Sequence, residues 1–176
     1  MKTKVLATLL VLTILMLAVP AGVVEAKAKP QNIGFNFSGI WDESEFDPTT
    51  NTITIVNFLA SANLTGKFKE KGESLYLSPL SGNITVDGEE YNIMVKQAKQ
   101  SEPVYHSITG TPGGTYEFFA CWVEVNIKGN KFIGTLKWEK FTIVGFEVAF
   151  SSLVFHGVVD GKRVDCSLAG LFPEIN

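Results

Sequence analysis

The residues of this chain whose chemistry reaches beyond holding a fold are two histidines, two cysteines and a scatter of carboxylates. Nucleophilic catalysis needs a serine or cysteine beside a base. His106 and His156 are the only histidines, no Gly-x-Ser-x-Gly elbow occurs, and Ser151 and Ser152, the serines nearest His156, stand in no motif. His156 falls opposite Leu153, Phe155, Gly157 and Val159 and reads as a surface residue. His106 is the better candidate, and an enzyme would pair it with a carboxylate such as Glu117 or Glu147. No motif completes such a pair, so the sequence assigns no catalytic residue.

Glu147 shares its side of a run with Phe141, Ile143, Gly145 and Ala149. Val144, Phe146, Val148 and Phe150 make the more apolar side, which is expected to face the core and leave Glu147 outside. The acidic run Asp42, Glu43, Glu45, Asp47 offers hard oxygens of the kind calcium takes, but it lacks the alternating spacing and central glycine of an EF-hand loop and reads as a solvated acidic loop. Two cysteines about 45 residues apart without a histidine pair make no zinc set, and no residue group demands a cofactor. In a chain that leaves the reducing cytoplasm, Cys121 and Cys166 are expected to form one disulfide, which a chain-entropy account values at about 3–4 kcal/mol. The alternative is two separate buried thiols.

The elements that must position these groups alternate with period two. Ile33, Phe35, Phe37, Gly39 and Trp41 share one face against Asn36 and Ser38. The same phasing recurs at Ala62, Leu64, Gly66, Phe68; at Gly82, Ile84, Val86; at Tyr91, Ile93, Val95; at Phe132, Gly134, Leu136, Trp138; and at Val164, Cys166, Leu168, Gly170. Lys128-Gly129-Asn130-Lys131 and Asp160-Gly161-Lys162 read as tight hairpin turns. Residues 98–114 form the longest irregular segment, with Pro103, Pro112 and Gly113-Gly114, and are expected to be a loop or lid carrying Tyr105 and His106. The pattern predicts an all-β domain of roughly ten antiparallel strands. Glycines on the apolar face, at 39, 66, 82, 134, 157 and 170, favour a single β-barrel over a β-sandwich, because a glycine inside a strand marks a sharp bend.

Lys2 and Lys4 precede an apolar run from Val5 to Val19, then Pro20, Gly22 and Val24-Glu25-Ala26. This is the pattern of a signal peptide over residues 1–26, too short in its apolar part to span a bilayer, followed by a domain over residues 27–176. A secreted or extracytoplasmic location follows. The full chain has a formal net charge of −3, and loss of Lys2, Lys4 and Glu25 makes the remainder one unit more acidic. With no basic stripe, nucleic acid is not an expected partner. Asn36, Asn63 and Asn83 open Asn-x-Ser/Thr sequons on the polar faces of their strands, where glycans fit without disturbing a core.

Gly39-Ile40-Trp41, at the end of the first run, resembles the Gly-x-Trp signature of calycins, the lipocalin and avidin-type barrels. Thr65-Gly66-Lys67-Phe68 repeats the small-Gly-x-aromatic rhythm of those barrels. The resemblance implies a barrel. The later Thr-Asp-Tyr motif and the C-terminal helix of lipocalins are absent, as are the tryptophans of an avidin pocket, so it implies no ligand contacts.

Two functions from different classes fit these features. One is an exported binding protein holding a small, mainly apolar ligand in the barrel, lined by Trp41, Tyr105, His106, Tyr116, Phe118, Trp122, Phe132 and Trp138. The other is a non-enzymatic cell-surface module with a solid core, whose surface meets proteins or glycans.

Overall fold

The computed structural model describes residues 29–71, 74–99, 103–111, 114–143 and 146–176; the leader expected over residues 1–26 lies outside them. Every regular element among the described residues is a strand. In chain order they are β1 (Gln31–Asp47), β2 (Thr52–Lys71), β3 (Ser74–Leu77), β4 (Leu80–Val86), β5 (Glu89–Gln97) and β6 (Val104–Thr111). After these come β7 (Gly114–Ile127), β8 (Asn130–Ile143), β9 (Phe146–Val159), β10 (Lys162–Leu171) and the short β11 (Glu174–Ile175).

Eight of the strands form an antiparallel ring in the order β1, β10, β9, β8, β7, β5, β4, β2, closed by the pairing of β2 with β1. Paired residues can be followed around it from Ser44 to Arg163 and Val158, across β8 to Asn126, and on through Met94, Ser81 and Thr65. The path returns to β1 at Gly34. This stagger of about ten residues tilts eight strands by roughly 40° and sets a backbone radius of about 8 Å, a size that side chains just fill.

Alternation fills the interior, in the phase expected of the runs that the sequence showed and, on β7, in the phase opposite to Phe118 and Trp122. Phe35, Leu64, Ile84, Phe119, Phe132, Leu136, Trp138, Leu153, Phe155, Val164 and Leu168 are all essentially inaccessible to solvent. Two aromatic layers are stacked along the ring. Nearer the hairpin turns, Trp41 meets Phe132 and Phe155 edge-on at 5.8 and 6.1 Å; deeper, Trp138 stacks on Phe119 at 3.9 Å and leans on Phe35 at 5.8 Å. Such pairs contribute about 0.5–1.5 kcal/mol each beyond the area they bury.

The inward glycines stand where a neighbouring backbone occupies the space of a side chain. A Cβ at Gly82 would lie 1.8 Å from the Asn63 carbonyl oxygen, and one at Gly134 would lie 2.0 Å from that of Val154. Sharp coiling of the sheet requires a residue without a side chain at these points.

Several expectations are corrected. Cys121 and Cys166 are free, buried thiols. They stand on β7 and β10 with β8 and β9 between them, about 14 Å along the sheet at the usual strand spacing, whereas a disulfide needs Cα atoms within about 7 Å. The segment expected to be an irregular loop is largely strand: β6 pairs with β7 from Val104↔Ala120 to Ile108↔Tyr116. The acidic run is strand as well, because β1 continues to Asp47, and alternation sends Asp42 to one face and Glu43, Glu45 and Asp47 to the other.

Only the start of β9 departs from its expected phase. Phe146, expected to face the core, is 65% exposed, whereas Leu153 and Phe155 point inward and His156 outward as expected. Glu147 is exposed, although it shares the inward phase, and forms an ion pair with Lys140 at 3.1 Å. β10 stops pairing at Leu171↔Phe150, so among the described residues Phe146 and Glu147 have no β10 residue beside them.

Candidate functional site at the mouth of the ring

Three two-residue turns, Asp87-Gly88, Lys128-Gly129 and Asp160-Gly161, close hairpins at the same end of the ring. Each has φ near +50° at its first residue and near +82° at its glycine. Positive φ at both positions is the type I′ geometry that matches the twist of paired strands. Asp and Gly suit it; Lys128 adopts it at a conformational cost of about 1 kcal/mol.

Between these turns lies a bowl of about 220 Å³. Trp41, Val86, Ile127, Phe132 and Val159 make its apolar floor and walls, with Tyr91, Glu43, Lys128, Asn130 and Asp160 around the opening. Glu43 ties two strands together: it accepts the Trp41 Nε1–H bond at 3.2 Å and pairs with Lys162 Nζ at 3.3 Å. The Tyr91 hydroxyl donates to Glu89, and that bond, with the neighbouring negative charge, raises the phenol's pKa and keeps it protonated. The Tyr91 ring is thereby held in place, and Lys128 Nζ sits 3.7 Å from its centroid, over the negative face of the ring. Beside the bowl a second hollow of about 200 Å³ shares Glu43, Val86 and Tyr91 and adds Phe58, Asp87 and Glu89. The combined mouth has an apolar aromatic floor and a rim on which carboxylates outnumber ammonium groups. It suits a small body with a positive end.

A larger groove of about 580 Å³ lies at the opposite end, between the start of β1, the far part of β2 and Glu174. Its walls hold no aromatic residue and are made largely of glycine, proline and short polar side chains. It lacks the apolar surface and convergent charge that a ligand site needs.

The ring separates the aromatics that the sequence groups together. Trp41 and Phe132 floor the mouth, and Trp138 is buried deeper, its Nε1–H donating to Glu117 at 3.4 Å. Tyr105 packs half-buried against the core. Trp122 is 55% exposed; Tyr116, also exposed, stacks on half-buried Phe118 with centroids 6.4 Å apart. The backbone of His106 opposes Phe118 in β6, and Ser107 opposes Glu117; the His106 side chain lies outside the described parts. Sequence reasoning missed Tyr91, Glu43, Lys128 and Asp160. The signal was present in the turns, because residues that begin two-residue hairpins on alternate strands come together at one end of a closed sheet.

Set against protein-family models, curated proteins and solved structures, the chain has no match.

Proposed function

We propose that the chain is an exported, non-enzymatic binding protein that takes a small, mainly apolar ligand with a cationic end at the mouth of the ring. The observation that carries this reading is Lys128 Nζ over the Tyr91 ring, at the edge of a bowl floored by Trp41 and Phe132 and faced by Glu43 and Asp160. The protein's own ammonium group already occupies the position that a ligand cation would take. The ligand binds at the mouth and not within the ring, because the two aromatic layers fill the interior.

Calorimetric titration with hexylammonium, hexanol and hexanoate tests the reading. For so small a probe, hexylammonium should bind at about millimolar affinity, hexanol more weakly and hexanoate not at all. Lys128→Ala should tighten hexylammonium binding severalfold by vacating the Tyr91 face, and Tyr91→Ala should abolish it. Equal binding of hexanoate, or no binding of any probe, would count against the proposal.

A second reading, the surface module with a solid core, is supported by the same filled interior together with the apolar side chains on the outside of the β1–β2 hairpin.

A further inference from the structure

The β1–β2 hairpin outruns the ring. Beyond Ser44 in β1 and Leu59 in β2 the two strands pair, among the described residues, only with each other, up to the turn at 48–51. Its two faces differ. One carries Glu43, Glu45 and Asp47 opposite Val56, Thr54 and Thr52. The other carries the rows Ile40↔Leu59, Asp42↔Asn57, Ser44↔Ile55 and Phe46↔Ile53. On this outer face Leu59 is 82% exposed, Ile53 66%, Ile55 61%, Phe46 56% and Ile40 46%. The same surface continues onto β10 and β9, where Ser167 joins Ile40 to Val154 and Arg163 joins Ser44 to Val158; both valines are exposed.

We propose that this outer face is the interface of a homodimer, two copies of the chain meeting hairpin to hairpin about a two-fold axis. The exposed apolar side chains amount to roughly 700 Å², above the largest patch of an ordinary monomer and close to the ~800 Å² that each partner gives a stable interface. The polar groups fit a second copy better than a lipid surface. Asp42, a half-buried carboxylate, lies in a central row of the patch. Hydrocarbon offers a carboxylate no donor. Arg163, in the adjoining row, gives Nε and one Nη2 hydrogen to its own Asp165 and keeps further N–H groups with its side chain 68% exposed. A two-fold axis near the Asp42–Asn57 row brings the arginine of each copy toward the aspartate of the other. The proposal stands on this outer face and is independent of the mouth.

Sedimentation equilibrium from about 1 to about 100 µM, on protein purified from a secreting host, tests it. The expected result is a monomer–dimer equilibrium with a micromolar or tighter dissociation constant. The double variant Ile55→Lys/Leu59→Lys should weaken it by about 100-fold or more, and Met94→Lys, exposed on β5 away from the patch, should leave it unchanged. Arg163→Ala, which removes only a surface ion pair, should weaken it about tenfold and decides the matter should the double variant lose its β-type circular dichroism. Monomer throughout the concentration range, or a dimer indifferent to these hairpin and Arg163 changes, would overturn the proposal.

Discussion

Burial pushes the thiols of Cys121 and Cys166 up to about 12, with the Asp42 charge adding to the effect at Cys166. An unfolded thiol titrates near pH 8.5, so the stabilisation from keeping both groups neutral is fully present below that pH and is lost as pH rises toward 12. Two outcomes follow. An aromatic disulfide reagent at pH 8 should leave both cysteines unmodified in the folded protein and titrate two thiols after denaturation. The melting temperature should fall steadily above about pH 9, and Cys121→Ala/Cys166→Ala should remove part of that fall. Trp138 is the other residue on which much depends: truncation to alanine empties the deep aromatic layer and should cost about 3–5 kcal/mol in denaturant unfolding. That Trp138 and Cys166 face inward was legible from alternation, whereas the phase of Cys121 was not, since Tyr116, Phe118 and Trp122 of the same strand were expected inside. That the cysteines stay apart was not, because compartment and count suggest a bridge, whereas only the strand order reveals two strands lying between them.

Among elements, turns and glycines were the most legible. Lys128-Gly129 and Asp160-Gly161 are the tight turns their residues specify, because type I′ geometry depends on two positions and little else. Lys128→Asn should therefore stabilise the β7–β8 hairpin by about 0.5–1 kcal/mol while removing the ammonium from Tyr91. A mutant more stable in urea that also binds hexylammonium better is the expected combination. Gly82→Ala, driven against the Asn63 carbonyl, should cost about 3 kcal/mol, far beyond the gain in strand propensity. Elements whose pattern depends on their neighbours were misread. β6 owes its pairing to the adjacent half of β7, and glycines and prolines around it disguise six paired residues as slack. The acidic end of β1 is a strand because β2 accompanies it to Thr52, a partner that hydrophobic periodicity does not reveal.

For the whole molecule, eight strands with a stagger of about ten residues close a ring only wide enough for its own side chains, so the binding we propose is placed at the mouth. The inward glycines pointed to that curvature, and the all-β class was readable throughout. The site was only half legible: Trp41 and Phe132 were singled out, but the rim that gives them a purpose is assembled from turns far apart in the chain, and closure brings them together. The three tryptophans report separately on the mouth, the interior and the outside. Trp41 floors the bowl, Trp138 lies in the deep layer and Trp122 is exposed on the ring's outer face. The most direct test is to follow the three indole N–H resonances by NMR during titration with hexylammonium. The account predicts that the Trp41 signal, whose N–H is bonded to Glu43, moves and saturates while the other two stay still. Movement of Trp138 would mean that the ring admits ligand to its interior, and a motionless Trp41 would mean that the mouth is not a binding site; either contradicts the account.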